Sequence, residues 1–129
     1  MRFLILLLLF TVSFAQDFYV PDIDPNDMFE VTCYVYLNYS DLAPELCRTI
    51  NIESSFRPYV KNPESNAYGF MQILPICARD CGYSYKLVKK YWYVNIHVGY
   101  LYLKRCLHKA DFVYLDAYDY YYYGLYYKD

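Results

Sequence analysis

Glu53 closes an apolar, helix-like segment in the run Asn51-Ile52-Glu53-Ser54-Ser55-Phe56-Arg57-Pro58, and a glycine-led turn, Gly69-Phe70-Met71-Gln72-Ile73-Leu74-Pro75, follows it in the chain. A single carboxylate of this kind, with an amide side chain beyond a turn, suits an acid that keeps its proton near neutral pH while a polymer lies against it. Upstream, Leu42, Leu46 and Ile50 recur at the spacing of one helical face, and Glu53 continues that stripe. Partial burial and the negative end of the helix dipole both disfavour its charge there. Both raise the pKa, the condition for a general acid. The same spacing equally accommodates a solvated Glu53 at the rim of the stripe, paired with Arg48 or Arg57.

The positioning elements follow from caps and breakers. Asp41 can cap the segment, Pro44 fits a first turn, and Pro58 disfavours helical geometry at Arg57, so the helix ends near Phe56. Pro75 to Cys81 reads as a short helix ended by Gly82. Asn95 is a candidate cap for a helix with Ile96, Tyr100, Leu103 and Leu107 on one face, and Gly99 allows close packing against a neighbour. Asp111 can cap a last helix through Tyr118. Residues 30–37 alternate, with Val31, Cys33 and Val35 against Thr32, Tyr34 and Tyr36, so a strand and a helix packed ahead of the Glu53 segment are equally open. The expected fold is mainly α, a small helical domain with room for a minor strand element.

Glu53-Ser54-Ser55-Phe56-x-Pro58 and Ser65-Asn66-Ala67-Tyr68-Gly69-Phe70-Met71-Gln72-Ile73-x-Pro75 resemble the SLT-type lytic transglycosylases of the lysozyme-like superfamily, whose pattern is E-S-x-F-x-P, then S-x-A-x-G-L-M-Q-I-x-P. Asn95-Ile96-His97-Val98-Gly99-Tyr100-Leu101-Tyr102-Leu103 is similar to the family's N-I-x-x-G-x-x-Y-L, and Ala117-Tyr118-Asp119 to its A-Y-N. Each block is weak alone, and the ordered set is specific. The resemblance implies a lysozyme-like fold and a lytic transglycosylase, in which Glu53 acts as sole acid and then base. The reaction cleaves the bond between N-acetylmuramic acid and N-acetylglucosamine without water and leaves 1,6-anhydro ends. It further implies that Ser65, Gln72 and Tyr118 line the cleft and orient the sugar. Gly69 would supply a positive backbone angle, or room for a sugar ring against bare backbone. The implied partner is the peptidoglycan glycan strand, with no cofactor and no metal.

Several residues depart from the pattern. Phe70 replaces Leu, Asp119 stands where Asn is usual, and Tyr120-Tyr121-Tyr122-Tyr123 replaces the small Ala-Gly that normally follows. Most glycosidases use two carboxylates about 5–9 Å apart, and no second acid sits in a recognisable partner motif. Glu64 reads as a solvated loop residue, and Asp119 is the harder candidate to dismiss. A muramidase that uses water, and a non-catalytic glycan-binding module, are the alternative functions.

Met1-Arg2, the apolar run from Phe3 to Phe10 and Ser13-Phe14-Ala15 read as a signal peptide over residues 1–15, with the domain at 16–129. The apolar run is short for a membrane span. The expected location is exported, periplasmic, cell-envelope or extracellular. The net charge of −2 and the absence of a basic stripe give no support for nucleic-acid binding. Cys33, Cys47, Cys77, Cys81 and Cys106 suggest one or two disulfides in an oxidising compartment, with an odd thiol left over. A zinc site from Cys77, Cys81, Cys106 and His108 is the lesser reading, and His97 and His108 read as surface helix residues. Of the 20 tyrosines, those from Tyr120 to Tyr127 read as compositional bias and a sticky tail, although aromatic faces also stack on sugars.

Overall fold

The computed structural model describes residues 22–125, so the expected signal peptide lies outside the described residues. Among the described residues six helices follow in order: α1 (Met28–Asn38), α2 (Ala43–Ser54), α3 (Pro75–Asp80), α4 (Tyr85–Lys90), α5 (Trp92–Lys109) and α6 (Tyr114–Tyr123). Among the described residues the only β pairing is a pair of isolated bridges, Lys61 with Tyr68 and Tyr68 with Ile73. The long helix α5 is the centre of the domain, touching α2, α3, α4 and α6, while α1 packs on α2.

The alternating segment at 30–37 resolves as helix. Asp27 caps α1 by accepting from the backbone N–H groups of Phe29 and Glu30. Val31, Tyr34 and Val35 then form a buried stripe at helical spacing. Pro44 does fall in the first turn of α2, but its N-cap is Leu42, with no side-chain bond. Asp41 is used elsewhere: its Oδ2 accepts from the Tyr100 hydroxyl at 2.7 Å and lies 3.8 Å from Lys104 Nζ, tying the start of α2 to α5. Asp111 likewise caps nothing. It takes a left-handed φ of 50°, and α6 begins from Val113 and runs beyond Tyr118 to Tyr123.

Leu46 and Ile50 of α2, Phe70, Met71 and Ile73 of the connecting turn, and Ile96 and Leu103 of α5 are fully buried. The expected disulfides are not formed, and all five cysteines are free thiols. Thr32, not Cys33, is the α1 residue beside Cys47, and Cys33 is exposed. Cys77 and Cys81 stand one turn apart in and just after α3 as neighbouring free thiols. Cys106 is buried in α5, whereas His108 on the same helix is exposed and rests against the Phe112 ring at 4.9 Å. Among the described residues no group of His, Cys, Asp and Glu could hold a metal ion.

Candidate active site

Glu53 lies in the last turn of α2, half-buried, as its place on the apolar stripe requires. The helix stops abruptly behind it, with Ser55 and Phe56 both left-handed at φ 53° and 58°. Such angles disfavour side-chain-bearing residues, and here they turn the chain away immediately after the carboxylate. Arg57 secures the stop, since its backbone N–H and its Nε both donate to the Ser54 carbonyl at 3.1 and 2.9 Å. Arg48 places its guanidinium over the Tyr114 ring, 4.9 Å from the centroid. Neither arginine is paired with Glu53, so the rim reading does not describe this carboxylate.

Its partner is Tyr118 of α6, whose hydroxyl donates to Glu53 Oε1 at 2.9 Å. Burial pushes the Glu53 pKa up, and the tyrosine bond offsets part of that rise by favouring the anion. Proximity to Glu53 in turn adds to the burial that raises the Tyr118 pKa, so this phenol keeps its proton. The pair is a carboxyl group whose pKa burial raises, with a neutral hydrogen-bond donor aimed at one oxygen.

The turn opposite is clamped from α5 and α6. Gly69 has φ +80°, and a Cβ there would meet Asn95 Nδ2 at 2.4 Å. Glycine is therefore needed for the backbone angle and for close approach, but the approaching group is the asparagine of α5, not a sugar. Asn95 is no cap, since α5 begins at Trp92. Its buried side chain donates to the Tyr68 carbonyl at 2.8 Å and accepts from the Met71 N–H at 2.9 Å. Gly99, one turn on, makes room for the Met71 side chain, because a Cβ would lie 2.5 Å from Met71 Cγ. From α6, the Tyr121 hydroxyl donates to the Met71 carbonyl.

The clamped turn presents Gln72, itself left-handed at φ 50°. Its Nε2 donates to the carbonyls of Val60 and Gly69, both at 3.1 Å. Both amide hydrogens are thus committed, which leaves Oε1 as the acceptor of this side chain. Ser65 sits on the exposed loop before the turn, where its Oγ accepts from the Ala67 N–H at 3.2 Å.

A cleft of about 350 Å³ joins these parts, lined by Glu53, Ser65 and Gln72 together with Asn62, Glu64, Ala67, Leu74, Tyr121 and Tyr122. Tyr118 reaches Glu53 from α6 without lining that cleft. Of the two further carboxylates, Glu64 lines the cleft and Asp119 does not. Tyr121 and Tyr122 are wall residues, although the tyrosine run reads from sequence as a tail. Tyr121 is 8% exposed and Tyr122 is 64% exposed, so one is structural and the other available. Tyr121 shares a helical face with the buried Ala117, four residues before it, a contrast that the uniform run of tyrosines does not display in the sequence.

Residues 36–124 match the family model described as "Transglycosylase SLT domain", a span that contains the carboxylate, the turn, Asn95 and all of α6. No curated protein and no solved structure matches the chain.

Proposed function

The chain belongs to the SLT transglycosylase family, and from that membership we propose that it is a peptidoglycan lytic transglycosylase with Glu53 as its single general acid and base. In this reading Glu53 protonates the glycosidic oxygen between N-acetylmuramic acid and N-acetylglucosamine. The resulting carboxylate then takes the proton of the muramyl 6-hydroxyl as that oxygen attacks its own anomeric carbon. The 1,6-anhydro ring closes, no water is consumed, and Glu53 ends the cycle protonated. Gln72 Oε1 and Ser65 bind and orient the sugar, Tyr118 holds the carboxyl in place, and Gly69 serves the turn that carries Gln72.

The observation that carries the proposal is the environment of Glu53: half-buried, unpaired by either neighbouring arginine, and held by one phenol. That setting favours the protonated acid in the resting enzyme and still supplies a hydrogen bond to the anion formed in mid-reaction. The substrate lies in the cell envelope, so the proposed location is exported, with residues 1–15 as the signal peptide and 16–129 as the domain. No helix among the described residues is long and apolar enough to cross a membrane.

One observation supports a second reading. Glu64 lines the same cleft as Glu53, so a water-activating carboxylate is available for a hydrolytic muramidase on this fold. Clearing of purified sacculi by the parent, Glu53→Gln and Glu64→Gln proteins separates the two. The transglycosylase reading expects loss of clearing in Glu53→Gln by at least about 100-fold and near-parental clearing in Glu64→Gln. Loss in both favours the hydrolase, and no clearing by the folded parent leaves a glycan-binding module.

A further inference from the structure

Helix α1 is apolar on both of its sides. One side, Val31, Tyr34 and Val35, is buried against the rest of the domain. The outward side of a surface helix is usually charged, but here it is formed by Met28, Phe29, Cys33, Tyr36 and Leu37, without an Asp, Glu, Lys or Arg among them. Phe29 is 74% exposed, Leu37 83%, Met28 60% and Tyr36 49%, and Cys33 is exposed in their midst. Glu30 stands at the edge of this face and is turned back, its Oε2 accepting from the Asp24 N–H at 2.8 Å. Most of α1, from Met28 to Val35, lies ahead of the residues that match the family model, so the face is a feature of this chain and not of the matched domain.

We propose that this face is the interface of a two-fold symmetric dimer, in which α1 of one copy packs antiparallel on α1 of a second copy of this chain. The pattern is self-complementary: Phe29, Cys33 and Leu37 lie four residues apart on one ridge, with Cys33 at the middle of the helix. A two-fold axis through Cys33 sets Phe29 of each copy against Leu37 of the other, ridge into groove, and brings the two Cys33 side chains together. Charge selects the same order. Asp24, Asp27 and Glu30 precede or begin α1, and residues 22–47 contain no Lys or Arg. At about 1.5 Å per residue, an antiparallel pair separates the two Asp27 residues by about 18 Å along the helix axes, beyond the screening length of about 8 Å. A parallel pair would align these acids, and an anionic bilayer would repel them. Area sets the strength. A large side chain presents about 150–250 Å², so at these exposures the four contribute on the order of 500 Å² per copy and about 1,000 Å² for the pair. That reaches the lower limit of a specific interface and stays below the standard size of about 1,600 Å², the range of a weak dimer that forms as concentration rises. No α1 residue lines the Glu53 cleft, so pairing leaves it open.

Sedimentation velocity from low to high micromolar concentration, together with oxidation by diamide, tests the pairing. Diamide takes two electrons and two protons from a pair of Cys33 thiols, leaving an intermolecular disulfide and the corresponding hydrazine. The expected result is a monomer that becomes a dimer as concentration rises, and a covalent dimer after diamide that Cys33→Ser abolishes. Leu37→Lys and Phe29→Glu each place a charge in the interface twice and should weaken association at least about 30-fold. Both side chains are exposed, so neither change empties the core, and circular dichroism of each variant should match the parent. Mixed together, the two variants should associate again, because antiparallel order sets their opposite charges against each other. Association that neither substitution weakens overturns the proposal, since the contact then lies elsewhere. A monomer at every concentration, with no cross-link that depends on Cys33, also overturns it. Native Cys33 that resists alkylation in that monomer assigns the face to residues 1–21, and Cys33 that is freely alkylated leaves the face bare.

Discussion

Gly69 and Asn95 are joined so closely that their substitutions should not add. Asn95→Ala leaves the buried Met71 N–H without its acceptor, at about 1–3 kcal/mol for an orphaned donor. The Tyr68 carbonyl suffers less, because it still accepts from the Ile73 N–H at 3.0 Å, and its loss is about 1 kcal/mol. Asn95→Ala therefore costs about 2–4 kcal/mol. Gly69→Ala places a methyl 2.4 Å from Asn95 Nδ2 and 2.8 Å from its Cγ, which expels the asparagine and breaks the same bonds. It also puts a side-chain-bearing residue at φ +80°, a further cost of about 1–2 kcal/mol. Once Asn95 is alanine, only that backbone cost remains for the second substitution. The double variant should therefore be as stable as Gly69→Ala alone to within about 0.5 kcal/mol, a coupling of about 2–4 kcal/mol. Urea unfolding of the four proteins followed by circular dichroism measures the cycle. An osmolyte at one fixed concentration keeps the weakest of them folded at zero urea. A double variant less stable than Gly69→Ala by the full Asn95→Ala loss would refute the steric and hydrogen-bond reasoning.

Burial raises the Glu53 pKa above its unfolded value near 4.5, so between the two values the native state holds more proton and stability falls as pH rises. Glu53→Gln should melt above the parent at pH 7 to 8 and converge with it below the unfolded pKa, as melting curves across pH would record. Tyr118→Phe removes the bond that holds the Glu53 pKa down, so the alkaline limb of the kcat/KM profile should move to higher pH. Its kcat should fall about 10- to 100-fold, the worth of a hydrogen bond to an ionising group, whereas a purely structural Tyr118 leaves the profile in place. Tyr121→Phe, which orphans the Met71 carbonyl partner, should lower stability by about 1–3 kcal/mol in urea unfolding with the pH profile unmoved. Thiol titration of the unfolded protein without reductant should count all five cysteines, and a lower count would contradict their free state.

The parts of this domain governed by near neighbours in sequence were legible there. The stripe Leu46, Ile50 and Glu53, the stop before Pro58, and α3 between Pro75 and Gly82 all follow from local periodicity and backbone sterics. Residues whose partners lie far along the chain were not. Asn95 has the residue type of a helix cap, and only the fold brings Met71 and Tyr68 to its side chain. Asp41 shares that type, and its partner Tyr100 is likewise distant. The tyrosine run hid its own periodicity, because identical residues show no contrast between the buried Tyr121 and the exposed Tyr122 and Tyr123. The cysteine count suggested staples, but pairing depends on which helix faces meet, and Cys47 meets Thr32.

The most direct test of the central claim is mass spectrometry of the fragments that the domain releases from purified peptidoglycan, beside those from Glu53→Gln. The account predicts muropeptides ending in 1,6-anhydro-N-acetylmuramic acid from the parent and none from the variant. Reducing N-acetylmuramic acid ends from the parent, one water heavier, would contradict it.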